Sequence, residues 1–207
     1  MTTARQPERA AASIRLAVPA DAGPIARVHV RSWRATYPGI VPQPILDALS
    51  IERRQAYWRE SITRSLDEAT DAGERVWLAE RGQGTSARTA ADIVGFAATG
   101  PARDDGLPPG AGELYAIYLV PEVWSQGVGR RLFAAAVDDL AVRHDPLVLW
   151  VLTDNARARR FYEAAGWRAD GSSRVLDFDG TPIEEIRLRS SGTNRRSRRD
   201  HTAPDPP

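Results

Sequence analysis

The chain has 207 residues, enough for one ordinary domain with tails. A formal net charge of +1 argues against a nucleic-acid binder driven by bulk charge, and the absence of cysteine excludes disulfides, thiolate metal sites and a cysteine nucleophile. All 28 basic residues are arginine, so a catalytic lysine is excluded as well. Residues 1–12 are polar or alanine-rich, with no apolar core of a secretory signal, and predict a flexible N-terminal tail. "SIRLAV" at 13–18 alternates like a strand, and Asp21 is placed to cap a helix running to about Tyr37. "YPGIVP" breaks that helix, and Ser50 is placed to cap a second one through about Ser65. "RVWLAE" (75–80) and "DIVGFAATG" (92–100) read as strands joined by the polar hairpin loop "RGQGTSARTAA". "ELYAIYLV" (113–120) is nearly continuous in apolar residues, as in a sheet covered on both faces. A helix follows from about Gln126 to His144, then the buried strand "PLVLWVL" (146–152) and a short helix over 155–166 ended by Gly166. Asp179-Gly180 predicts the tight turn of a final hairpin.

This order predicts one mixed α/β domain over 13–190, followed by a disordered basic and proline-rich tail over 191–207. No apolar run reaches the length of a membrane span. The expectation is therefore a cytoplasmic protein that engages neither membrane nor nucleic acid. The three histidines show no metal-ligand spacing, so no metal is expected.

The segment "PEVWSQGVGRRLF" (121–133) sets two glycines and two arginines at the mouth of a helix. A helix N-terminus offers unpaired backbone N–H groups and a partial positive charge, and glycine permits close approach to the backbone. Together these suit a phosphate or pyrophosphate. The lysine and Ser/Thr of a nucleotide P-loop are missing, as is the third glycine of the dinucleotide fingerprint. A purely structural turn is the competing reading of Gly127-Val128-Gly129.

The block from 113 to 167 resembles the GNAT superfamily of acetyl-CoA-dependent N-acetyltransferases. That family's R/Q-x-x-G-x-G/A turn falls on Trp124-Ser125-Gln126-Gly127-Val128-Gly129, with Trp124 departing from the pattern at the first position. A second motif, an Asn and a Tyr seven residues later followed by x-x-x-G-F/W, falls on Asn155, Tyr162 and "EAAGW". The resemblance implies a mixed, mostly antiparallel sheet with a splayed central parallel strand pair and helices on both faces. It implies acetyl-CoA as cosubstrate, with pantetheine along Ile117, Tyr118 and Leu119. Its pyrophosphate would meet the backbone of Ser125, Gln126, Gly127, Val128, Gly129 and Arg130, and Asn155 would bond the pantetheine arm. A homodimer is a further implication of the resemblance.

Transfer to an amine needs a neutral nucleophile, and Glu113 is the candidate general base. Strict alternation would set Glu113, Tyr115, Ile117 and Leu119 on one apolar face, where desolvation raises a carboxyl pKa. A solvent-exposed strand end is the competing reading. Tyr162, by spacing and resemblance, is the candidate acid for the leaving thiolate, with core packing beside Phe161 as its alternative. Trp33 and Tyr37, four apart on the first helix, are candidates for holding the acceptor or for packing that helix on the sheet. The acceptor is expected to be a small-molecule or peptide primary amine. A non-catalytic acyl-CoA sensor is the alternative from another functional class.

Overall fold

The computed structural model describes residues 12–66, 73–81 and 93–191. The tails, the loop between the second and third strands, Arg195 to Arg199 and His201 fall outside the described residues. Seven strands form one sheet: β1 (Ser13–Leu16), β2 (Arg75–Glu80), β3 (Ile93–Pro101), β4 (Gly112–Leu119), β5 (Leu147–Leu152), β6 (Trp167–Phe178) and β7 (Thr181–Ser190). Their order is β1-β2-β3-β4-β5-β7-β6, and every neighbouring pair is antiparallel except the central β4–β5. β3 is buried from Ile93 to Gly100 and so covered on both faces, whereas β4, expected to be covered in this way, is fully buried only from Gly112 to Leu114.

Helices α1 (Ala22–Thr36) and α3 (Ile51–Leu66) cover one face, with the short α2 (Gln43–Asp47) between them. Phe96 of β3 meets His29 of α1 and Trp58 of α3 there. Helices α4 (Val128–Arg143) and α5 (Ala156–Ala164) lie on the other face, joined by the edge-on packing of Phe133 against Phe161 at 5.4 Å. Among the described residues, no helix is long and apolar enough to cross a membrane.

Two expected caps fare differently. Ser50 accepts the Arg53 N–H at 3.1 Å and so starts α3. Asp21 does not cap α1: its carboxylate takes the Val18 N–H at 2.8 Å and both terminal nitrogens of Arg15. The helix begun by the glycine turn also starts later than expected, at Val128 rather than Gln126.

The decisive local feature is in β4. Ala98 pairs with Ala116, but Thr99 pairs with Leu114, which leaves Tyr115 as an extra residue in the strand. This is a β-bulge. Because Phe96, Ala98 and Gly100 alternate regularly along β3, their partners Tyr118, Ala116 and Glu113 share the face of α1 and α3. Ile117 and Leu119 face α4 instead, where Leu119 lies against Gly129. The expected single face for Glu113, Tyr115, Ile117 and Leu119 is therefore corrected, because one bulged residue resets the alternation midway.

Candidate active site

β4 and β5 stay paired only at Gly112–Leu147, Glu113–Val148 and Leu114–Leu149. Beyond that point the parallel strands part. A cavity of about 440 Å³ occupies the opening, with Leu114 to Tyr118 on one side and Trp150 to Leu152 on the other. Among the described residues, the remaining backbone groups of β4 on this inner edge have no strand partner, which makes the opening a natural seat for an amide-bearing ligand.

Glu113 sits where the strands begin to diverge. It is 7% exposed and lines the cavity. Its Oε2 accepts the Arg103 backbone N–H at 3.0 Å. Burial pushes its carboxyl above the ordinary carboxylate value, while that N–H and the charges of Arg103 and Arg174 pull it back down. The solvent-exposed reading of Glu113 is thus set aside: the bulge and the residues around it remove the carboxylate from water. Tyr162 of α5 lines the same cavity and is 8% exposed. Burial raises its phenol pKa, with neighbouring Tyr118 adding to the shift. The ring also packs on Phe161 at 5.4 Å and Phe133 at 5.9 Å, so core packing holds in place a hydroxyl that borders the opening.

The glycine turn lies at the end of α4 nearest the opening. Gly127 has φ +79°, a left-handed conformation that favours glycine. The first helical bond runs from Arg131 N–H to the Gly127 carbonyl, so the N–H groups of Val128, Gly129 and Arg130 precede the helical ladder. The Gln126 N–H is already engaged, weakly, by Val123 at 3.4 Å. Ser125 itself has φ +59°. Trp124, the departure from the family pattern, donates its indole N–H to the Leu119 carbonyl at 3.0 Å. Ser32 donates to the same carbonyl at 3.1 Å, so this oxygen is saturated by the protein. The Arg157 guanidinium lies over the Trp124 ring, 3.6 Å from its centre, and both residues line the cavity.

Asn155 is the N-cap of α5, accepting the Ala158 N–H at 3.1 Å, and its side chain borders the cavity. Trp33 and Tyr37 meet edge to face at 4.9 Å, and both line the cavity. They also pack with Val41, Leu46 and the sheet residues Leu152 and Ile183, so the packing reading of this pair holds. His29 is a packed residue: its Nδ1 accepts the Trp58 indole N–H at 3.1 Å, and burial lowers its pKa to about 3. Asp104 is tied to Arg187 at 2.6 Å.

The sequence reading missed the far wall. Glu185, 6% exposed, comes from β7 and is bonded by Arg174 of β6. Arg174 lies 4.1 Å from the centre of the Trp150 ring. All three residues line the same cavity as Glu113. No short motif marks them. The only signal was alternation along "TPIEEIRLRS", which groups Glu185 with the buried Ile183.

A family model described as the acetyltransferase (GNAT) family matches residues 42–167, more than half of the chain. The uncharacterised N-acetyltransferase YuaI of Bacillus subtilis is 33% identical over 174 residues, covering 83% of this chain and 86% of that protein. A probable N-acetyltransferase of Mycobacterium tuberculosis, Rv2775, is 28% identical over 84% of this chain and 88% of its own length. Among solved structures, the PaiA N-acetyltransferase of Thermoplasma acidophilum in complex with coenzyme A superposes with a TM-score of 0.64 at 19% identity, covering 86% of this chain and 98% of that one. YncA of Salmonella typhimurium, solved with acetyl-CoA, gives 0.60 at 18% identity over 94% of this chain and 98% of that one. The splayed strand pair, the glycine turn and these relatives lead to one conclusion: the chain belongs to the GNAT family of N-acetyltransferases.

Proposed function

We propose that the protein moves an acetyl group from acetyl-CoA to a primary amine by direct attack, with Glu113 as general base and Tyr162 as general acid. The observation that carries this reading is that a desolvated carboxylate and a buried phenol, distant in sequence, border one cavity at the strand splay. The residues present fit the cosubstrate. The N–H groups of Val128, Gly129 and Arg130 and the left-handed Gly127 suit a diphosphate, and the unpaired inner edge at Ile117 suits the amides of pantetheine. Leu119 contributes through its N–H rather than its saturated carbonyl. Ser125, Gln126 and Asn155 complete the surroundings of this arm.

A lysine-like amine has a pKa of about 10.4, so roughly one molecule in a few thousand is neutral at pH 7. That scarcity is equivalent to about 4–5 kcal/mol. A carboxylate with a raised pKa removes the amine proton at lower cost than an ordinary one. The nitrogen lone pair forms the new C–N bond, the tetrahedral adduct expels the CoA sulfur with the C–S electrons as the Tyr162 hydroxyl supplies its proton, and the second proton shed by the adduct nitrogen restores the phenol. Trp33 and Tyr37 line the acceptor side. The acid supplied by Tyr162 matters because the site is shielded from water.

The test is release of free thiol from acetyl-CoA over a panel of primary amines, with Glu113→Gln beside the unaltered protein. The expected kcat/KM of the unaltered protein rises along an acid limb whose pKa lies above the ordinary glutamate value, and Glu113→Gln loses that limb. Saturable binding of acetyl-CoA without turnover of any amine would instead favour the sensor reading.

A further inference from the structure

The Glu185 carboxylate is buried, lines the catalytic cavity and is only half used. Arg174, its cross-strand neighbour, bonds Oε1 through Nε. The other oxygen, Oε2, accepts no hydrogen bond among the described residues. That oxygen is not shut off from solvent, so a cationic group that enters the cavity can reach it. Its position is also specific. Glu185 pairs with Leu152 on β5, next to the splay, and lies within electrostatic reach of both Glu113 and Tyr118. Glu113 thus stands on one lip of the opening and Glu185 on the other. Around them stand the aromatic and apolar Trp33, Tyr37, Trp150, Leu176 and Phe178, with Arg103 and Arg157 bordering the cavity besides Arg174.

We propose that Glu185 receives the ammonium of the acceptor before its deprotonation, so that the acceptor is a basic aliphatic primary amine carried on an apolar or aromatic body. This inference rests on the acetyl-transfer reading and deepens it. The amine arrives protonated, and a neutral pocket would reject it. Glu113 alone serves poorly as the receiving anion, because its Oε2 already holds the Arg103 N–H and it must accept a proton rather than merely balance one. Glu185 balances the charge and leaves Glu113 free to take the proton. Arg174 competes for the same carboxylate. Its side chain is 45% exposed and stacked on Trp150, so it can swing toward solvent when a substrate cation takes its place. An arylamine, neutral at pH 7, gains nothing from this arrangement.

The experiment uses phenethylamine as the probe and aniline as the neutral control. Binding to the full chain in the presence of CoA is measured by calorimetry, beside steady-state turnover with acetyl-CoA. Glu185→Gln is expected to weaken phenethylamine binding and raise its KM by about tenfold or more, because a partly buried charge partner is lost. The KM for acetyl-CoA should stay within about twofold, since no CoA contact is removed. Arg174→Gln, which frees the carboxylate, is expected to tighten phenethylamine binding. A general loss of structure could not produce that gain. Unchanged phenethylamine affinity in Glu185→Gln, a preference for aniline, or no phenethylamine binding at all would each overturn the inference. Phenethylamine binding that depends on Glu185 without any acetyl transfer would sink the enzyme reading while leaving the ammonium site standing.

Discussion

The two ends of the opening between β4 and β5 are built from different materials. At the α4 end the candidate binding groups are backbone: N–H groups of Val128 to Arg130, displayed by a turn in which Gly127 takes a left-handed conformation. At the opposite end they are side chains drawn from β4, β6, β7 and α1, with Glu113, Arg174, Glu185, Trp33 and Tyr37 meeting across long sequence distances. The difference teaches where specificity can change. On the proposed reading, a backbone cradle would recognise the same diphosphate whatever side chains decorate it, Trp124 included. A side-chain chamber can be rebuilt for a new acceptor by single substitutions that leave the fold alone.

The largest effect should come from a single atom at the junction of the two ends. Tyr162→Phe keeps the ring packing on Phe133 and Phe161 but removes the proposed proton donor, and it should lower kcat by about 10²–10⁴. Acetyl-CoA affinity, read by calorimetry, should hardly move. An unaltered kcat would show that the leaving thiolate is protonated from elsewhere.

The backbone end is probed by Gly127→Ala. Alanine at φ +79° costs about 1–2 kcal/mol, so the turn should relax and CoA affinity should fall by roughly tenfold. Arg130→Gln, which changes only an exposed side chain in the same stretch, should cost about threefold or less. The reverse ranking in a titration would mean that charge, not backbone geometry, dominates this end.

Two smaller effects sharpen the contrast. Asn155→Ala removes the cap of α5 and should lower unfolding free energy by about 1 kcal/mol in denaturant titration. Glu113→Gln should do the opposite at neutral pH. The folded state raises the Glu113 pKa, so it holds that proton more tightly than the unfolded chain does. Stability therefore falls as pH climbs from about 4.3, the free-chain value, through the folded value, and the penalty is fully present above it. Glutamine removes the penalty, so the variant should melt higher at pH 7. The advantage should vanish below about pH 4, where the unaltered carboxyl is protonated in both states. A catalytic loss accompanied by gained stability is the signature expected of a functional carboxylate and not of a structural one.

The element order was legible because each buried strand is a short apolar run between strong breakers, as in "LVLWVL" after Asp145-Pro146. The glycine turn and the Asn155–Tyr162 pair were legible because each lies within a few residues of chain. The acceptor chamber was not. Glu185 reads locally as one of two adjacent acids on a hairpin, and its burial is decided by β7 inserting between β5 and β6. The bulge at Tyr115 was hidden for a related reason. Nothing in "GELYAIYLV" announces an extra residue, because a tyrosine takes that position as readily as any strand site, with its hydroxyl donating to the Pro101 carbonyl. Asp21 misled because its carboxylate had a stronger partner available in Arg15.

The bulge also acts as a parity setting for the enzyme. Upstream and downstream of Tyr115, β4 counts odd and even positions oppositely, which is what brings Glu113 and Tyr118 onto a common side although they are five apart. Deleting that one residue would shift the tally by one. The acid would then turn toward the dry layer under α4, or the phenol of Tyr118 would, and no side-chain substitution could restore the arrangement. Length, at this point of the chain, is as much a determinant of chemistry as identity.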